Sequence, residues 1–204
     1  MARAAHSATD RDWAQLAELV RSDPDARVRA TALAALVRAA PRGTSRPVWE
    51  AAAHDADARV RLRAAEVAPR LGRSATASVL LELLGSPDAW VAEAAAYALG
   101  ERPRTSRRIV DALIAATTHD DPLVREAAVA ALGAIGDPRA VDAVLRACDD
   151  RPAIRRRAVI ALAAFDGDRV EQRLRAALED TDWQTRQAAE DVLNASAAPP
   201  PDAL

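Results

Sequence analysis

Apolar residues recur along this chain at helical spacing, and the pattern itself repeats. In the stretch that starts at Asp121, residues Val124, Ala128, Ala131 and Leu132 share one helical face, with polar positions between them. The same pattern starts at Asp25, Asp57 and Asp88, and looser copies start at Arg151 and Asp182. Superimposed, the copies place Val28, Val60, Val91, Val124, Ile154 and Thr185 at one anchor position, at steps of 32, 31, 33, 30 and 31 residues. A second apolar-periodic segment precedes these, as in Trp13 to Arg21, Val79 to Leu84, Ile109 to Thr117 and Pro138 to Cys148. Each unit therefore reads as a helix pair that buries its apolar face only by stacking on its neighbours.

Local signals set the helix ends. An aspartate three residues before the anchor suits a helix N-cap, because its side chain can accept from orphan backbone amides. Asp137-Pro138 is a cap followed by proline at the first helical position. Gly72, Gly100 and Gly136 stand where second helices should end. Pro69 lies inside the second copy and should end that helix early, since it lacks an amide donor. The pattern predicts an all-α fold: a right-handed α-solenoid of about six helix pairs, twelve helices in all. Second helices should line its concave side and first helices its convex side. Residues 1–194 read as one array. Residues 195–204, with Pro199, Pro200 and Pro201, read as a disordered tail.

Composition agrees and narrows the function. Alanine, the best helix former, makes up roughly a quarter of the chain. The 28 basic residues, all arginine, are offset by 30 acidic ones, for a net charge of −2. A general nucleic-acid binder shows a basic excess, so nucleic acid is disfavoured as a partner. One cysteine, Cys148, excludes an internal disulfide and a multi-cysteine zinc site. No apolar run approaches the ~20 residues of a membrane span. The start, MARAAHSATDRD, lacks the apolar core of a signal peptide, so the expected location is the cytoplasm.

The repeated D-x-x-V-R-x-x-A-x-x-A-L pattern resembles bacterial HEAT repeats of the short, phycobilisome-lyase-like type. The stretch DDPLVREAAVAALGAIGDPRAVDAVLRACDD is similar to that consensus, and the resemblance covers about residues 10 to 195. It implies a solenoid whose members include binding scaffolds, bilin lyase subunits, DNA glycosylases and iron-dependent hydroxylases. It also implies an Asp–Arg ladder between repeats. Asp25, Asp57, Asp88, Asp121 and Asp182 match its Asp, and Arg29, Arg61, Arg125, Arg155 and Arg186 match its Arg. Ala92 stands where the third repeat should have arginine, and Arg151 where the fifth should have aspartate.

Positions one before, two after and six after each anchor form one stripe of the second helices, on the expected concave face. The third repeat puts Trp90, Glu93 and Tyr97 there, two of the six aromatics in the chain. Leu62 and Glu66 take stripe positions in the second repeat, and Leu123 and Glu126 in the fourth. Ring faces and carboxylates together suit a cationic group. Trp13 and Trp49 belong to first helices and read as packed, Trp183 as a cover for the array's end, and Phe165 as core. His54-Asp55 and His119-Asp120 fall in polar turns and too few in number for the hydroxylases' His-Glu iron site. Cys148 reads as a buried, inert thiol. Arg102, Arg104, Arg107 and Arg108 form a basic loop, and Arg155, Arg156 and Arg157 a second cluster. The expectation is a non-catalytic scaffold that recognises a protein or peptide, cationic in character, on its concave face, with no cofactor or metal. The alternative is an enzyme or enzyme subunit of the bilin-lyase or DNA-glycosylase type acting on a ligand in that groove. Oligomeric state is left open by the sequence.

Overall fold

A computed structural model of the chain describes residues 10–101 and 106–197. His6, Arg102, Arg104 and the tail from residue 198 onward lie outside the described residues. Among those described there are twelve α-helices and no strand. They are α1 (Asp10–Ser22), α2 (Ala26–Ala39), α3 (Arg42–Ala52), α4 (Ala58–Val67), α5 (Arg73–Leu84) and α6 (Ala89–Gly100), followed by α7 (Arg107–Ala116), α8 (Pro122–Ile135), α9 (Val141–Ala147), α10 (Pro152–Ala161), α11 (Asp168–Ala177) and α12 (Trp183–Ala197). The last helix thus continues past residue 194, where the sequence pattern placed the start of the tail. The chain forms two compact units, Met1–Ala98 and Leu99–Leu204. In the first, α1 packs on α2 and α3, and α2 on α4. In the second, α8 packs on α7 and α10, and α10 on α12.

The caps follow the sequence. Asp25, Asp57 and Asp121 accept from the amides of Arg27, Arg59 and Leu123 at 2.8, 2.9 and 2.8 Å. Asp88 accepts from Trp90 at 3.1 Å and Asp182 from Thr185 at 3.0 Å. Such bonds satisfy donors that no helical partner can reach. The anchors Val60, Val91, Val124, Ile154 and Thr185 are buried, whereas Val28 in the first repeat is exposed. Asp137 caps a short 3₁₀ turn over Pro138–Ala140 that runs straight into α9.

Pro69 acts as expected, with a further effect. It cannot donate to a carbonyl of the preceding turn, so α4 stops at Val67 and tightens into a 3₁₀ turn over Ala68–Leu71. The Ala68 amide bonds to the Ala65 carbonyl instead of reaching back to Ala64. The Ala64 carbonyl is left for Trp49, whose Nε1 donates to it at 2.7 Å from a fully buried ring. Gly136 ends α8 at φ +65°, in the left-handed cap that glycine favours. Gly100, by contrast, closes α6 in helical conformation and serves contact: a Cβ there would lie 2.7 Å from the Ala131 Cα. Gly133 makes the same approach to Ala161, at 2.6 Å from its Cβ.

The interrepeat ladder forms with a different aspartate from the one the resemblance implied. Arg29 grips Asp55 through Nε and Nη2, both at 2.8 Å. Arg125 holds Asp150 at 2.8 and 3.0 Å, and Arg155 holds Asp180 at 2.7 and 2.8 Å. The partner lies just ahead of the next repeat's helix start. The cap aspartates are occupied with amides, so the two tasks divide between neighbouring acidic positions. Asp55 and Asp180 also accept from the amides of Asp57 and Asp182, at 2.8 Å each, which fixes the turn. The guanidinium of Arg29 draws the Asp55 carboxyl below its usual range, and those of Arg125 and Arg155 do the same to Asp150 and Asp180.

Candidate functional site

Helix α6 is largely alanine on its inward side. Val91, Ala92, Ala94, Ala95, Ala96, Ala98 and Leu99 are all buried. Between the two end residues, the positions left over, 90, 93 and 97, form an outward stripe at helical spacing. Trp90 and Tyr97 are each 60% exposed, in a chain that buries most of its large apolar side chains. They stand two turns apart, about 10 Å along the axis. Glu93 between them is half-buried.

The other stripe residues divide by unit. In the first unit Leu62 is half-buried and Glu66 is exposed. Glu66 is paired with Arg63, one turn earlier, at 2.5 Å, so its charge is already offset. In the second unit Leu123 and Glu126 hold the same positions on α8, both half-buried. Glu126 faces Arg157 at 3.6 Å. The acidic character expected of the patch is thus reduced by arginines that the stripe arithmetic left out. The Arg63–Glu66 pair was visible as an i, i+3 spacing.

Sequence reasoning missed a groove on the same stripe in the second unit. Ile160 on α10, 44% exposed, and Trp183 on α12, 63% exposed, line a cavity of about 560 Å³ with Arg156, Gln187 and Val192. Trp183, at the start of the last helix, borders this cavity. The signal was present: Ile160 is the one large aliphatic side chain at the six-after position. The cluster Arg155–Arg157 is spread over separate partners, namely Asp180, Gln184 and Glu126.

The remaining candidates are structural in setting. Trp49 is buried as expected, Trp13 is half-buried, and Phe165 belongs to the core. Cys148 is buried, and desolvation pushes its thiol up to about 11, far from a reactive thiolate. His54 points Nδ1 at the Glu50 carbonyl, 2.8 Å away, and Nε2 at the Glu82 carboxylate, 3.0 Å away. Both partners are acceptors, so this geometry calls for the doubly protonated ring, and the two bonds raise the His54 pKa. His119 does the reverse: its Nδ1 accepts from the Asp121 amide at 3.0 Å, in the turn position that Asp55 fills two repeats earlier. Among the described residues no group of three or more His, Cys, Asp or Glu is arranged to hold a metal ion. Of the basic loop, Arg107 lies 3.6 Å from Asp111 and Arg108 is exposed. Every carboxylate with a displaced pKa among the described residues is displaced downward, by arginine, amide or hydroxyl donors. General-acid chemistry calls for the opposite displacement. No helix among the described residues is long and apolar enough to cross a membrane.

Comparison with known proteins agrees with this architecture. No curated protein matches the sequence significantly. Among solved structures, the complex of CpcE and CpcF of phycocyanin lyase from Nostoc sp. PCC7120 matches with a TM-score of 0.64 and 22% identity, over 96% of this chain and 80% of that one. The YIBA protein of E. coli matches with a TM-score of 0.72 and 20% identity, over 91% and 68%. A designed armadillo repeat protein in complex with the peptide (KR)4 matches with a TM-score of 0.65 and 16% identity, over 90% and 99%. At such identities these likenesses concern the fold alone. The family model described as HEAT repeats matches residues 13–100 and 77–153, and that described as PBS lyase HEAT-like repeat matches residues 154–180. The chain therefore belongs to the HEAT-repeat family, with the all-α solenoid fold of stacked helix pairs.

Proposed function

We propose that the protein is a non-catalytic scaffold that holds a protein or peptide segment on the face formed by its second helices, with Trp90 and Tyr97 as anchors. The observation that carries this reading is the exposure of both rings on one stripe of α6. Aromatic residues with large accessible faces dominate binding energy when a partner desolvates them. The preferred occupant is a basic side chain lying over a ring. The designed neighbour bound to (KR)4 supports that choice, and so does the negative net charge of the chain. The carboxylate of Glu66 contributes less, because Arg63 competes for it. Cytoplasmic location goes with this reading.

The test is a fluorescence titration with (KR)4 and with a charge-matched acidic peptide. A desolvated cation over a ring is worth roughly 2 kcal/mol, so Trp90→Ala should weaken the basic peptide by at least about tenfold. Tyr97→Ala should weaken it less. Equal affinity for wild type and both variants would move the binding centre elsewhere, with the α10–α12 groove next in line.

A further inference from the structure

Among the described residues, Arg61 is the ladder arginine that is followed by a further repeat and yet meets no carboxylate there, whereas Arg186 stands in the last repeat. Each rung arginine is held first by backbone carbonyls: Arg29 Nη1 donates to Asp23 O at 2.8 Å, Arg125 to His119 O at 2.8 Å, Arg155 to Asp150 O at 3.0 Å and Arg186 to Asp180 O at 2.7 Å. Arg61 is held the same way, by Asp55 O and Ala56 O, both at 2.8 Å. In Arg29, Arg125 and Arg155 the other edge, Nε and Nη2, then closes on a carboxylate just ahead of the next helix cap: Asp55 and Asp180 two residues before Asp57 and Asp182, and Asp150 one residue before Arg151. For Arg61 that position is Ser86, two residues before the cap Asp88. Ser86 keeps the turn, since its Oγ accepts from the Asp88 amide at 3.2 Å, as Asp55 does from Asp57. What it lacks is the negative charge.

We propose that the Nε–Nη2 edge of Arg61, with Ser86 at the register position that Asp55 and Asp180 hold in closed rungs, is a seat for an oxyanion of the phosphate type. The guanidinium is already oriented, so binding requires little further ordering of its long side chain. A guanidinium edge meets two oxygens of such an anion with two parallel hydrogen bonds. The cap aspartates do not forbid it: Asp55 carries its charge next to Asp57, and Asp180 next to Asp182, in rungs that are closed. The phosphate has two sources. One is a free anion. The other is Ser86 itself, esterified by transfer of the terminal phosphoryl group of a nucleoside triphosphate in a kinase reaction. In that reaction the Ser86 Oγ–P bond forms, the phosphoanhydride P–O bond breaks, the nucleoside diphosphate leaves and the hydroxyl proton passes to the kinase's base.

The experiment uses the full chain in four forms: wild type, Arg61→Gln, Ser86→Asp and the double variant. Inorganic phosphate is titrated at constant ionic strength, with chloride as the balancing anion, while the arginine Nε–H resonances and the thermal midpoint are followed. Wild type should show a saturable shift of one Nε–H resonance, absent in Arg61→Gln and in Ser86→Asp, where the seat is filled. Ser86→Asp should raise the folding equilibrium constant by about fivefold, the scale of a partly exposed ion pair, and only when Arg61 is present. Protein carrying phosphoserine at 86 should match or exceed that gain and lose its response to free phosphate. If free phosphate shifts the resonance and phosphoserine brings no Arg61-dependent gain, the free anion is the source. If phosphate acts equally on wild type and Arg61→Gln, or if Ser86→Asp brings the same gain without Arg61, the seat does not exist.

Discussion

The two units use one template and spend its free positions differently. In the first, the outward stripe of α6 carries Trp90 and Tyr97, and the ladder holds one closed rung, Arg29–Asp55, followed by the open Arg61. In the second, both rungs are closed, Arg125–Asp150 and Arg155–Asp180, and the exposed apolar side chains Ile160 and Trp183 border a groove. Buried positions hardly differ: alanine, valine and leucine fill both cores. The lesson is that the core fixes the repeat while the stripe and the turn are free to specialise.

That separation can be broken most forcefully at the tryptophans. Trp49→Ala removes a fully buried ring and its hydrogen bond to Ala64, and should cost about 3–5 kcal/mol of stability. Trp90→Ala and Trp183→Ala, on exposed stripe positions of the two units, should each stay within about 0.5 kcal/mol. Urea unfolding of the three variants checks this, and a large loss at Trp90 would mean that α6 depends on that ring for packing.

The rungs come next. Asp150→Ala leaves Arg125 without its bidentate partner and should cost about 1.5–3 kcal/mol. The pH dependence has a definite sign. Asp150 and Asp180 have folded-state pKa values below the ordinary 3.8, so their contribution is fully present above about pH 4. It fades as pH falls through the depressed folded values. Stability measured from pH 5 downward should therefore fall less steeply for Asp150→Asn than for wild type. Parallel curves would remove the rung from the account of acid unfolding. A smaller effect, about 1–3 kcal/mol, is expected of Gly133→Ala, whose new methyl group must displace Ala161 on α10. An unchanged thermal midpoint would show that α8 and α10 can separate at little cost.

Much of this was legible in the sequence because it is local. Cap aspartates, Pro69, Gly136 and the anchor period act within a few residues of themselves, and each helix appears where they put it. At Asp55/Asp57 and Asp180/Asp182 the rung differs from the one the resemblance implies because two acidic positions lie two residues apart, and only the conformation of the turn decides which one faces the arginine. Trp90 and Tyr97 were found by offset arithmetic, since exposure on a helix follows from its periodicity. The Ile160–Trp183 groove was not, because it depends on how stripe positions of two neighbouring helices meet. Gly100 ends α6 where the pattern puts it, but its second role, the missing side chain that admits Ala131, is a contact between helices and has no local signal.

The rungs also give the chain a polarity. A repeat such as that of Arg29 offers a donor to its C-terminal neighbour, and a repeat beginning at Asp55, Asp150 or Asp180 offers an acceptor to its N-terminal neighbour. Any block cut from rung to rung carries one of each, so duplicating or deleting it leaves a matching junction, as with links of a chain. The block from Ser86 to Ala92 carries neither, and a crossover placed there would transmit no rung in either direction. Growth of such an array by duplication is therefore favoured on either side of that block and discouraged within it.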